Sequence, residues 1–238
     1  MPIPAGMSVN DLVLVQGMKD TRLAMRRWNE HPLAVLAPWL AVSLLTAIAL
    51  LFAVWVVASL STPDSTPLAI PGINVDPTTS DYLHILYRNS LVLALHGMAC
   101  VAGFMAGSSL PLSAANRSGL DRWAHEKAGK LAIGFVMVAT LFSLSTQAYG
   151  IGGNAATIAA QLNISPAELI VSLLPHAIPE LTALFLPLAA WLVANRSNRW
   201  DELLAATVVT VGIAVPVLLA CAAVELHVSP DLLRALAT

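Results

Sequence analysis

Five stretches of this chain, residues 33–60, 89–110, 130–149, 165–194 and 203–226, run with so few charges that they constrain its class before any motif is read. A bilayer core about 30 Å thick is crossed by about 20 residues of helix, because an α-helix rises about 1.5 Å per residue. Inside that core each backbone amide must find its partner within the protein, so segments of this length are helices. Composition agrees, with 57% of the residues hydrophobic and 11% charged, against roughly 25% charged in an ordinary soluble domain. The 12 basic and 14 acidic side chains are too few to cover a soluble surface for 238 residues, which excludes a water-soluble enzyme, a disordered polymer and a nucleic-acid binder. The expected fold class is all-α: a polytopic helical membrane protein with about five transmembrane helices and an N-terminal amphipathic helix.

The basic residues orient it. Lys19, Arg22, Arg26 and Arg27 precede the first apolar stretch, Arg117, Arg122, Lys127 and Lys130 fill the second connection, and Arg196 and Arg199 the fourth. Only Arg88 and Arg234 fall on the opposite side, so the positive-inside rule expects a multi-pass protein of the plasma membrane, the inner membrane of a bacterium, with its N-terminus cytoplasmic and its C-terminus outside. Three regions follow: a cytoplasmic amphipathic segment 1–32, a transmembrane domain 33–226 and an external tail 227–238. In the first, Leu14, Met18, Met25 and Trp28 recur at helical spacing, the mark of a helix that either lies in the membrane interface or packs on the cytoplasmic end of the bundle. The charged run from Asp11 to Arg27, with no short apolar core or small-residue cleavage site, is unlike a cleavable signal peptide. Cys100 and Cys221 both sit in apolar stretches and imply no disulfide framework. The first external loop, 61–80, is rich in Pro and Thr and reads as an extended cap.

Polar residues within the apolar stretches carry the functional signal, because an ionisable side chain in mid-bilayer costs about 3 kcal/mol on insertion scales. The fourth stretch contains Leu173-Leu174-Pro175-His176-Ala177-Ile178-Pro179-Glu180-Leu181. His176 and Glu180 are one helical turn apart and so share a face. Pro175 and Pro179 lack amide hydrogens at the same depth, which predicts a helix kinked or broken there. Ser165-Pro166-Ala167-Glu168 marks where that helix begins, with a cap, a first-turn proline and a capping-box acid. In the second stretch Asn89, His96 and Gly103 fall on one face, and in the third Gln147 closes a stripe with Thr140 and Ser143. His176, Glu180, His96, Asn89 and Gln147 are therefore the candidate intramembrane polar site, in the outer half of the membrane. His176 and Glu180 either bond each other and the freed backbone, or hold a proton or cation; His96, His176 and Glu180 are the candidate metal ligands.

Ala99, Gly103 and Gly107 form a small-residue row suited to close helix contact, between copies of the chain or within one. A faint repeat pairs His96, followed by Ala115-Asn116-Arg117-Ser118 and Trp123, with His176, followed by Ala194-Asn195-Arg196-Ser197 and Trp200. It is either chance or a trace of parallel repeats in which the two histidines correspond. No P-loop, paired cysteine ligands or Gly-x-Ser-x-Gly motif occurs, and Gly150, Gly152 and Gly153 are expected in an external turn. No cofactor is expected and the chain is not expected to be an enzyme, with a membrane metalloenzyme a minor alternative.

The stretch from Leu173 to Ala183 resembles the Leu-Leu-Pro-His-Gly-x-x-Glu-Leu-Pro-Ala motif of the stage II sporulation protein M family of integral membrane proteins, with the His and Glu in register, Ala177 in place of the Gly and Thr182 in place of a Pro. The resemblance covers about 110 residues, from Asn89 to about Arg199. It implies a multi-span protein of the cell envelope acting with other proteins. Two functions are expected from different classes: a membrane scaffold or partner protein, whose partners are the bilayer and further copies of itself or other envelope proteins, and a small transporter or channel with a His/Glu proton or cation site. The charge split is checked by reporter fusions: one at the C-terminus should read as external, and a cytoplasmic C-terminus would overturn the five-span topology.

Overall fold

A computed structural model describes residues 13–109 and 119–236. Its elements are α1 (Val13–Glu30), α2 (Pro32–Leu60), α3 (Thr79–Phe104) continued by a π-helical turn (Met105–Ser109), α4 (Gly119–Gln161), α5 (Pro166–Ser197), a 3-10 turn (Trp200–Glu202), α6 (Leu203–His227) and α7 (Ser229–Leu236). Five segments are long and apolar enough to cross a membrane: Pro32–Leu60, Thr79–Gly107, Ile133–Gln161, Pro166–Ser197 and Trp200–Leu236. The protein is thus an all-α, polytopic membrane protein. Large apolar side chains such as Phe52, Met98, Phe135 and Phe142 point outward, which in a bilayer is contact with solvent of matching polarity.

Helix ends follow the local sequence. At the start of α5 the Ser165 N–H donates to Glu168 Oε2 at 2.7 Å, and the Glu168 N–H to Ser165 Oγ at 3.2 Å, the reciprocal box expected there. Thr78 and Asp81 do the same for α3, whose N–H and hydroxyl contacts begin the helix ten residues before the apolar stretch at Asn89. The chain leaves α4 through Asn163, at a φ of 56°, with the Ile164 N–H on Ala159 O at 3.0 Å and the Asn163 N–H on Ala160 O at 3.2 Å. Asn198, at a φ of 54°, ends α5 in the same way. Asparagine tolerates the left-handed conformation this cap requires.

Two expectations change. Gly150, Gly152 and Gly153 are not in a turn, because α4 continues through them to Gln161. A Cβ on Gly152 would lie 2.6 Å from Val57 Cβ, so the glycine lets α4 approach α2 rather than ending the helix. Likewise α5 is continuous from Pro166 to Ser197, through Pro175 and Pro179; the helix is not broken in two there. Arg117 lies outside the described residues, as do the side chains of Arg122, Lys127 and Lys130 and the Ala115–Ser118 copy of the repeat.

The chain separates into two compact units, one drawn from Met1–Ala41, Leu95–Met137 and Leu186–Gly212, the other from Val42–Ala94, Val138–Phe185 and Ile213–Thr238. In the first unit α1 packs on its neighbours, as one of the two readings of its apolar stripe expects. Its buried face is Gly17, Ala24 and Trp28. Trp28 meets Trp39 edge-on, with ring centroids 5.2 Å apart, and Arg27 pairs with the buried Glu202 at 3.0 Å. Met18 and Met25 are exposed, because the small residues Gly17 and Ala24 allow the closer approach; Leu14's side chain lies outside the described set. The row on α3 packs within this unit too. A Cβ on Gly103 would lie 2.7 Å from the Trp191 ring, and one on Gly107 2.2 Å from that of Trp200. The protein's own tryptophans occupy the surface that an oligomer contact on this row would need.

In the second unit the loop between α2 and α3 is fastened to its neighbours. The Asp64 N–H donates to Thr157 Oγ1 at 3.0 Å, and Gln161 bonds both Leu68 N–H and Thr66 O. The expected external tail is the helix α7. Its Arg234 donates to Gly72 O and pairs with Asp231 at 2.5 Å, while Pro230 rests where a side chain on Gly72, at a φ of 81°, would be. The tryptophan seat generates a test: Gly103→Leu should lower thermal stability in detergent, by about 1–3 kcal/mol for an overpacked core, with assembly size unchanged. A smaller assembly at unaltered stability would return the row to an interface between copies.

Candidate functional site

Within the second unit, three spans and the tail helix bring one polar cluster together. His176 and Glu180 sit one turn apart on α5, as their spacing requires. Glu225 comes from the last turn of α6, and one ligand-capable atom of each of the three lies within 4.8 Å of the others. Asn89 on α3 donates from Nδ2 to Glu180 Oε1 at 3.0 Å. Ser229, at the start of α7, lies 2.7 Å from His176 Nδ1. His176 and Ser229 are buried.

The outer bonds define what the inner atoms can do. The Ser229 hydroxyl donates to Val224 O at 3.4 Å. The same hydroxyl lies 2.7 Å from His176 Nδ1, so one ring nitrogen of His176 is engaged by Ser229. The Asn89 amide likewise occupies one oxygen of Glu180, while Oε2, buried, has no hydrogen-bond partner among the described residues. The cluster brings an imidazole and two carboxyl groups together, with the guanidinium of Arg88, beside Asn89, acting on Glu225 from nearby. A group of this kind can hold a proton or a cation.

The sequence brought forward His176, Glu180 and Asn89 correctly as one group, and missed two members. Glu225 takes the place offered to His96 among the candidate metal ligands. His96 is buried on α3 within the first unit, with residues 95–137, and is not among the three residues grouped here. Gln147 spends its amide on Ser143 of its own helix at 3.0 Å, and no described hydrogen bond joins it to the cluster. Glu225 carried a readable signal, a second carboxylate inside an apolar stretch, one residue from its end. Ser229 repeats the Ser-Pro start of α5, but its bond to His176 is a tertiary contact with no local mark.

The cluster is shallower than the centre of α5 suggested, since Glu225 and Ser229 lie at the C-terminal end of the last span. A recess of about 550 Å³ is lined by the loop from Gly72 to Pro77 and by Leu226, His227, Pro230 and Asp231, of which Leu226 and Pro230 stand next in the chain to Glu225 and Ser229. Because Asn89 holds Glu180, Asn89→Leu should cost about 1–3 kcal/mol, the penalty of a buried polar group losing its partner, read as a lower melting temperature in detergent. An unchanged melting temperature would mean that the carboxylate is hydrated and the cluster open to water.

No protein-family model matches the chain, and neither does any curated protein or solved structure.

Proposed function

We propose that this membrane protein handles a cation, as a small transporter or channel whose site for a proton or metal ion is built from His176, Glu180 and Glu225. The observation that carries the reading is the unpartnered, buried Glu180 Oε2 in a cluster where it, His176 and Glu225 bring ligand-capable atoms within 4.8 Å of one another. Carboxylates in spans are retained at a cost, and pathways for protons and ions are where that cost is met. The recess lined by Leu226 and Pro230, next in the chain to Glu225 and Ser229, lies on the side carrying the C-terminus, which the basic residues orient outward across the plasma membrane.

A second reading, a scaffold of the cell envelope like the stage II sporulation protein M family, is favoured by a different observation. The loop at 61–78 is held rigid by Gln161, Asn74 and Arg234 and forms the recess wall with α7. A preformed polar surface of that kind suits recognition of another envelope protein. On this reading the His176 and Glu180 pair braces the helix that resembles the family motif.

Flux in reconstituted liposomes separates the two. Under the transport reading wild type carries a pH-dependent proton or cation flux, and Glu180→Gln removes it at least tenfold while leaving the melting temperature nearly unchanged, because the amide keeps the size and the bond to Asn89. Absence of any flux from wild type, with Glu180→Gln behaving identically, would overturn transport in favour of the scaffold.

A further inference from the structure

The two functional readings treat the cluster only as a place for positive charge, whereas its ligand types and outer bonds are more specific. One ligand-capable atom of each of three side chains lies within 4.8 Å of the others, close enough to share one ion. The His176 imidazole is held through Nδ1 by the Ser229 hydroxyl. Histidines that bind metal through one ring nitrogen almost always fix the other in this way. The Glu180 carboxylate is fixed by the same logic, Oε1 on Asn89 and Oε2 buried and unpartnered. Two side chains one turn apart on α5 thus each commit one polar atom to an outer partner, and Glu225 joins them from the end of α6.

We infer that His176, Glu180 and Glu225 form a binding site for one divalent transition-metal ion of the zinc class. The inference deepens the reading of the cluster as a cation site and rests on it. The donor set decides the chemical class: calcium and magnesium take oxygen ligands, whereas an imidazole with carboxylates suits zinc and its first-row neighbours. Three protein ligands on a tetrahedral ion leave a fourth position open. Ligand bonds of about 2.0–2.2 Å set neighbouring ligands roughly 3.5 Å apart around one ion, so atoms already within 4.8 Å of one another need only side-chain adjustment to close on it. One dipositive ion would also offset the charge of both carboxylates, which the exposed Arg88 alone does not.

The test uses full-length protein in detergent, stripped with chelator and titrated with zinc alone, with bound metal measured by elemental analysis. Wild type should retain one zinc per chain, and Glu225→Gln and His176→Gln should each bind at least tenfold more weakly. Ser229→Ala should weaken binding about 10–100-fold, the usual effect of losing an outer-shell partner, and His227→Gln, at the recess wall, should leave affinity unchanged. A readout that needs no variant is cobalt substitution of wild type, which should give the intense visible bands of a tetrahedral nitrogen and oxygen site. No stoichiometric zinc and no such bands would overturn the metal site. Were pH-dependent proton flux to persist in that same preparation, the cation reading would stand without the metal; loss of both would remove both. Zinc binding unaffected by Glu225→Gln and His176→Gln would also overturn the assignment, by placing the ion elsewhere.

Discussion

A hydrocarbon interior offers no hydrogen bonds, so a chain that crosses it must satisfy its own polar groups. Most of the polar side chains described in the spans meet that demand locally. Ser90 bonds Leu86 O, Thr46 bonds Val42 O and Thr210 bonds Ala206 O, each four residues back on its own helix. Ser43 reaches across to Thr182 O, and Cys100 Sγ donates to Pro187 O at 3.0 Å. Against this background the carboxylate of Glu180 is conspicuous, because the protein supplies a donor for one oxygen and withholds it from the other.

The means of packing differ between the units. In the first, tryptophans lie against glycines, Trp191 on Gly103 and Trp200 on Gly107, and α1 is drawn in by Gly17 and Ala24. Without a hydrophobic drive between helices in lipid, close van der Waals contact of large rings on bare backbone is what remains to hold them. The second unit relies more on polar fastenings, from Thr157 and Gln161 to the loop and from Tyr82 to Leu219 O at 3.0 Å. A unit held by directional bonds fixes side-chain orientation more closely than one held by packing.

How far these features were legible varied with their range. Apolar length read the five spans, and Ser165 with Glu168 read the start of α5, because both are local properties of consecutive residues. The turn expected at Gly150 to Gly153 failed for a tertiary reason: glycine breaks an isolated helix, but Gly152 in contact with Val57 is repaid by packing. Of the stripe read on α1, Trp28 is buried while Met18 and Met25 are exposed, since hydrophobicity scales do not register how closely a glycine or alanine lets a neighbour approach. The site was half visible. His176 and Glu180 declare themselves by spacing, whereas Glu225 and Ser229 join them only through the fold.

The order of these residues along the chain bears on biogenesis. Membrane helices are delivered to the bilayer as synthesis proceeds from the N-terminus. Asn89 enters first, α5 follows with His176 and Glu180, and Glu225 and Ser229 emerge only after the last span. For that interval α5 carries a carboxylate into lipid with one amide to receive it, a state that favours holding the helix beside the insertion machinery until α6 arrives. Ser229 then closes the cluster from α7, so the His176 imidazole gains its hydrogen-bond partner only after the last span has been made.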